Sequence, residues 1–180
     1  MYEGSARLLE SVVKTHVVLT GLMGVGKSTT AQVLAARLGW PERDSDRDIE
    51  GLFGATGAEL AGSTSVDALH TVESAMLLGA LASPEPTVIS AAAWVVEDPL
   101  CVEALARRAT VVVLSASVED TVHRAAQGDH RRTLDTEAFA ALAERREPLF
   151  EAVADLRLDA TGPTEDLALA ILGFLEKRNR

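Results

Sequence analysis

Two kinds of hydrophobic pattern alternate along this chain. In the first, nearly every position of a short run is apolar or β-branched: residues 16–20 (HVVLT), 87–90 (TVIS) and 110–114 (TVVVL). Such runs predict strands buried on both faces. In the second, apolar residues recur every three or four positions. Ala31, Leu34, Ala35 and Leu38 do so within residues 27–38, and Gly39 supplies a C-terminal stop. Val66, Leu69, Val72, Ala75, Met76 and Leu77 give residues 66–81 a wide apolar face. Helices are also expected over 46–53, 97–108, 118–127, 135–146 and 164–177, with a last strand at 156–159. Residues 54–65 (GATGAELAGSTS) read as a flexible loop, and residues 128–133 as a second mobile segment, short and rich in charge. Two-sided apolar strands separated by helices predict an α/β domain with a parallel sheet covered on both faces.

A chain of 180 residues suits one domain. Acidic residues outnumber basic ones by 27 to 17, for a formal charge of −10. That charge argues against general binding to nucleic acid or anionic membranes, but leaves room for one local basic pocket. The single cysteine, Cys101, excludes an internal disulfide and a cysteine-built zinc site. His16, His70, His123 and His130 are too scattered to suggest a metal centre. No apolar run approaches the ~18 residues that span a bilayer, and the N-terminus lacks a basic segment followed by a long apolar run. A soluble cytoplasmic protein is therefore expected.

The lysines are few, Lys14, Lys27 and Lys177, and one of them lies in a special setting. The first strand runs into Gly21-Leu22-Met23-Gly24-Val25-Gly26-Lys27-Ser28, which satisfies G-x-x-x-x-G-K-[ST] at each fixed position. Glycines let the backbone curl so that successive N–H groups face phosphate oxygens, and the following helix adds its positive end. In such a loop Lys27 reaches the β- and γ-phosphates and the Ser28 hydroxyl helps hold Mg²⁺. Gly24, Val25, Gly26 and Thr29 complete the expected nucleotide contacts. No guanine-reading N/T-K-x-D motif is present, and the length suits a small-molecule or nucleoside phosphate kinase.

Seventeen residues beyond Lys27 stands Asp44-Ser45-Asp46. Carboxylates at i and i+2 off a strand end point the same way. One could join a Mg²⁺ shell while the other takes the proton of a substrate hydroxyl. The pair fits equally well as the acidic first turn of a helix.

The loop and helix GLMGVGKSTTAQVLAARLG together with D-S-D-x-x-I-E (residues 44–50) resemble the shikimate kinases, small P-loop kinases with a five-stranded parallel sheet. Similarity continues at Val88-Ile89-Ser90, at residues 111–124, at Arg131-Arg132-Thr133-Leu134 in the lid position, and at Arg146-Glu147-Pro148-Leu149-Phe150, which matches R-x-P-L-[YF]. The resemblance implies a three-layer P-loop kinase fold with core residues 16–177, an N-terminal extension 1–15, substrate-binding helices over 46–82 and a short lid over 127–136. It implies ATP and Mg²⁺ as cofactors and a small hydroxylated substrate as partner, in a monomer or, alternatively, a dimer. Implied roles are Mg²⁺ orientation for Asp44, hydroxyl binding and proton acceptance for Asp46, and closure over the transferring group for Arg131. Arg124 would pack beside adenine and Arg146 would bind a substrate carboxylate. Without the resemblance, Arg124 and Arg146 read equally well as solvated helix arginines.

Three departures fall on the acceptor side or the lid. The family's triple glycine is Ala91-Ala92-Ala93 here, followed by Trp94; alanine there would cost roughly 1 kcal/mol if the backbone needed positive φ. Ala92 and Ala93 nonetheless occupy a substrate-binding position. Aligning Glu73 on the final glutamate of G-E-x-x-F-R-x-x-E puts His70 where a carboxylate-clamping arginine is expected, although His70 also reads as an ordinary helix histidine. The lid carries Arg132 and Thr133 in place of proline and leucine. A kinase for shikimate or a related polyhydroxylated acceptor is expected. A non-catalytic nucleotide-binding protein of the same ancestry and a gluconate-type kinase are the alternatives.

Overall fold

The computed structural model describes residues 14–117, 119–121 and 136–178. Strands β1 (His16–Thr20), β2 (Glu42–Asp44), β3 (Val88–Ser90), β4 (Ala109–Ser115) and β5 (Leu156–Asp159) form one sheet in the order β2-β3-β1-β4-β5. Each neighbouring pair is parallel. Parallel strands need crossover connections. Among the described residues these are α1 (Lys27–Leu38), α2 (Ser45–Phe53), α3 (Gly57–Ser63), α4 (Val66–Leu81), α5 (Pro99–Arg108) and α6 (Thr136–Val153), with α7 (Thr164–Arg178) after the last strand.

Alternation along the strands makes the three layers. Val17 and Leu19 of β1 join Val112 and Leu114 of β4 on one face, where Leu34 of α1 and Ala168 and Ile171 of α7 cover them. Val18, Ile89, Val111 and Val113 point to the other face, under Leu77 and Leu81 of α4, Leu105 of α5 and Phe150 of α6. Strands buried on both sides account for the unbroken apolar runs.

Four segments differ from the sequence-based expectation. Residues 54–65 are not a loop throughout: α3 occupies Gly57–Ser63, and Thr56 with Glu59 forms a reciprocal capping box at its start. The expected helix over 97–108 begins later, because Asp98 caps α5 through Leu100 N (2.8 Å) and Pro99 takes the first turn. A 3-10 turn over Ala93–Val96 precedes it, so Glu97 is left outside both. Helix α6 continues past Arg146 and through Pro148 to Val153, and its buried Phe150 anchors this extension in the core. Glu42–Asp44 forms the edge strand β2, a short segment without an apolar signature. The expected helix over 118–127 and the lid over 127–136 lie largely outside the described residues.

Asp155, at the start of β5, ties the sheet to both ends of the described chain. Its carboxylate accepts from Lys14 Nζ (2.8 Å), Arg178 Nη1 (2.7 Å) and Val111 N (2.9 Å). Burial pushes its pKa up, but these three donors outweigh burial and hold it below the usual carboxylate value. A depressed carboxyl pKa adds stability that is present above the unfolded value and is lost as pH falls through the folded one. Asp155→Asn is therefore expected to cost on the order of 1–3 kcal/mol at pH 7. In urea melts its deficit against the wild-type protein should shrink as pH falls below the ordinary carboxylate value and through the lowered native one. A deficit independent of pH would contradict this assignment.

Candidate active site

Where β1 ends, the chain must turn tightly beneath α1, and only glycine permits the path taken. Gly21 has φ 140°, and a Cβ there would lie 2.2 Å from the Leu114 carbonyl oxygen of β4. Gly24 and Gly26 also have positive φ, at 79° and 100°. Val25, 1% exposed, pins the loop to the core between them. The loop thus leads into the N-terminus of α1 with Gly26 as its cap, an arrangement of N–H groups and helix dipole that favours an anion. Lys27 Nζ donates to the carbonyls of Gly21 and Leu22, both at 3.0 Å. Burial lowers the pKa of this ammonium, and the carboxylates of Asp46, Asp44 and Glu73 oppose the shift.

Asp44 closes β2 beside Ser90 of β3. Its Oδ1 accepts from Asp46 N (3.1 Å) and Arg47 N (3.2 Å), capping α2. Its Oδ2 is buried with no hydrogen-bond partner among the described residues. The reading as a helix start is therefore the one seen here, with one oxygen of Asp44 serving the helix. Ser28 Oγ lies 3.4 Å from Ser90 Oγ, at the same strand ends. Asp46 stands in the exposed first turn of α2.

A single cavity of about 740 Å³ opens over these groups. Gly24, Gly26, Lys27, Ser28, Thr29, Asp46, His70, Ala92, Ala93 and Arg146 all line it. Val25 and Asp44 are buried and do not. Arg124 and Arg131 lie outside the described residues.

The end of the cavity away from the loop is built by contacts between distant segments. Arg146 is 7% exposed, which rules out a solvated helix arginine. Its Nε donates to Glu97 Oε1 at 2.6 Å, and Arg145 Nη2 reaches the same oxygen at 3.0 Å. Burial raises the Glu97 pKa, but Arg146 and then Arg145 more than reverse this and hold the carboxylate ionised. The late start of α5 is what places Glu97 there. Backbone strain in the alanine segment is absent: Ala92 has φ −59° and ψ 151°, and no described non-glycine residue has positive φ. The methyl groups line the cavity without closing it. Trp94 lies flat on His70, with ring centroids 3.7 Å apart and planes 1° from parallel. Burial, then the charge of Arg146, lowers the His70 pKa. Sequence reasoning missed Glu97 and this ring pair; the Asp98-Pro99 capping signal could have released Glu97 from the expected helix.

A cavity that joins a phosphate loop to a carboxylate in the first turn of α2 and to a buried guanidinium suits phosphoryl transfer to a small molecule, which by class makes the protein a P-loop kinase. The shikimate kinase family model matches residues 23–176, and the chain belongs to that family. It is 36% identical to the shikimate kinase of Chromohalobacter salexigens over 153 residues, covering 82% of this chain and 84% of that one. It is 34% identical to the shikimate kinase of Streptomyces coelicolor, covering 89% and 95%. The Acinetobacter baumannii shikimate kinase, solved in complex with shikimate, superposes with a TM-score of 0.84 at 25% identity, over 92% of this chain and 95% of that one. A gluconokinase from Sinorhizobium meliloti shares the fold at a TM-score of 0.62 and 18% identity. The protein is an ATP-using phosphotransferase of this family. Among the described residues no helix is long and apolar enough to cross a membrane.

Among the described residues Glu97 reaches the cavity through Arg146, and on the expectation that Arg146 binds the acceptor, removing Glu97 should act on acceptor binding alone. Glu97→Gln is expected to raise the acceptor KM about tenfold, the worth of one charge-assisted hydrogen bond, with the KM for ATP unchanged. Steady-state kinetics with each substrate varied in turn checks this, and an unchanged acceptor KM would remove Glu97 from the site.

Proposed function

We propose that the protein transfers the γ-phosphoryl group of ATP to a hydroxyl of shikimate or a related small polyhydroxylated acceptor. The observation that carries this reading is that one open cavity connects Lys27 and Ser28 with Asp46 and Arg146. A non-catalytic nucleotide-binding protein would be favoured had Trp94 and the alanine methyls filled the space beside Arg146. They line that space instead.

In this reading Lys27 exchanges its two carbonyl partners for β- and γ-phosphate oxygens, which satisfy a desolvated ammonium better than neutral carbonyls do. The N–H groups of residues 24–29 cradle the same phosphates. Asp46 accepts the proton of the acceptor hydroxyl as the new O–P bond forms and the bond between the γ-phosphorus and the bridging oxygen breaks. Arg146, held by Glu97, orients the acceptor, which converts binding into alignment. Arg131 would close over the transferring group and Arg124 would pack beside adenine, roles that rest on the family resemblance.

The residues present fit Mg²⁺. The orphaned Asp44 Oδ2 would lose the cost of an unpaired buried oxygen by bonding a metal-held water, and Ser28 Oγ offers a direct ligand. Mg²⁺ is commonly held by one or two protein groups together with substrate phosphates and water. When bound, the ion neutralises charge on the phosphate oxygens. A cytoplasmic setting and a monomeric state complete the reading.

An ADP-release assay over a panel of hydroxy acids, cyclitols and sugars tests the activity. Lys27→Ala should abolish acceptor-dependent ADP release. Asp46→Asn should abolish it while leaving the ATP Kd within about threefold of wild type. ADP release that no acceptor raises in the wild-type protein would refute the proposal, and full turnover by Asp46→Asn would remove Asp46 from the chemistry.

A further inference from the structure

A hydroxyl that ligates a metal also needs somewhere to put its proton. Ser28 Oγ can offer a lone pair to a cation only while its O–H points away, towards an acceptor. Ser90 Oγ lies within reach, at 3.4 Å. Without a cation either oxygen can donate across this contact. A cation on Ser28 leaves one direction, with Ser28 donating, and makes that O–H a stronger donor.

Ser90 is held firmly in place. It is 3% exposed, so water competes little for its hydroxyl. It ends β3, a strand paired on both sides, with Leu19 of β1 and Asp44 of β2 as its register partners. Register partners in parallel strands share a sheet face. Leu19 packs with Ala31 and Leu34 of α1, so Ser90 and Asp44 face the side that α1 covers, and Ser28 opens that helix. Asp44 Oδ2 is buried without a hydrogen-bond partner among the described residues. Once Ser90 Oγ accepts from Ser28, its own hydrogen is free to turn to that oxygen.

We propose that Ser90 is a positioning residue of the nucleotide–metal site: its hydroxyl accepts the Ser28 O–H, so aiming the Ser28 lone pair at the ion, and its own O–H turns to Asp44 Oδ2. Ser90 acts through Ser28 and Asp44, without touching the ion or the phosphates itself. This rests on the reading of Ser28 as a ligand of nucleotide-bound Mg²⁺ and adds the partner that orients it. Loss of such an outer partner typically weakens metal binding by roughly 10–100-fold.

Mn²⁺, a paramagnetic stand-in for Mg²⁺, gives a readout independent of turnover. Its affinity for the protein–ADP complex is measured by electron paramagnetic resonance, and the ADP Kd is measured separately in EDTA. Ser90→Ala is expected to weaken Mn²⁺ binding about tenfold, with the ADP Kd in EDTA within about twofold of wild type. Ser90→Cys, close in size but a weak acceptor, should show most of the same loss and serves if the alanine variant does not fold. Ser90→Thr, which keeps the hydroxyl, should stay within about threefold of the wild-type Mn²⁺ affinity. In a Ser28→Ala background, where no O–H remains to be accepted, Ser90→Ala should cost nothing further. Unchanged Mn²⁺ affinity in the folded Ser90 variants, or an equal loss in both backgrounds, overturns the proposal and leaves Ser28 as a ligand. A matching loss of ADP affinity in EDTA marks Ser90 as a support of the loop alone, which also overturns it. If Ser28→Ala itself leaves Mn²⁺ affinity unchanged, the metal reading and this proposal fall together.

Discussion

The close approach of Gly21 to the Leu114 carbonyl is the constraint on which the site depends. β1 lies between β3 and β4, so its C-terminal end opens where the two flanking strands also end. A chain leaving that point must pass over a carbonyl oxygen at a distance no Cβ tolerates, then curl through two more positive-φ glycines into α1. That path lines up N–H groups and a helix N-terminus on one spot. It also brings Lys27 and Ser28 next to the ends of β2 and β3, where Asp44 and Ser90 stand in register. Removing the glycine conformation would displace the cradle, the lysine and the serine together.

The acceptor side depends on a helix boundary. With Asp98 as cap and Pro99 in the first turn, α5 cannot include Glu97. Glu97 instead meets Arg146 across the cavity edge, and α6 extends through Pro148 because Phe150 holds it to the sheet. The preceding 3-10 turn carries Trp94 onto His70. Ala91 and Ala92 precede this turn and Ala93 opens it, none of them with positive φ, so exchange of glycine for alanine costs no strain and leaves the cavity open. Electrostatics then divide the cavity. At the loop end a buried cation and N–H groups favour phosphate, while the described residues of the far end include Arg146, Glu73 and the stacked His70 and Trp94 rings.

The phosphate end was legible because its chemistry is local. Glycine spacing, a lysine and a hydroxyl within eight consecutive residues state the loop, and the apolar run before it states the strand. In the Asp-Ser-Asp segment the helix start was legible and Asp44 Oδ1 caps α2, but spacing alone does not say that Oδ2 is buried beside it. The acceptor end was not legible because Glu97 and Arg146 are 49 residues apart in sequence, and His70 meets Trp94 only through packing of α4. In α3 the signal was present, a Thr-x-x-Glu capping box, but small polar residues around it mimic a loop. Edge strand β2 carries Glu-Arg-Asp, a sequence with no strand propensity, and forms because β3 offers it a free edge.

The central claim is that one cavity brings a nucleotide phosphate and a hydroxylated ring together for direct transfer. Phosphorus-31 NMR of the protein with ATP, Mg²⁺ and shikimate tests this most directly. Direct transfer produces a new phosphomonoester resonance that grows in step with ADP, with inorganic phosphate remaining at its background level. ADP accompanied by inorganic phosphate alone, or no loss of ATP with every acceptor supplied, would contradict it.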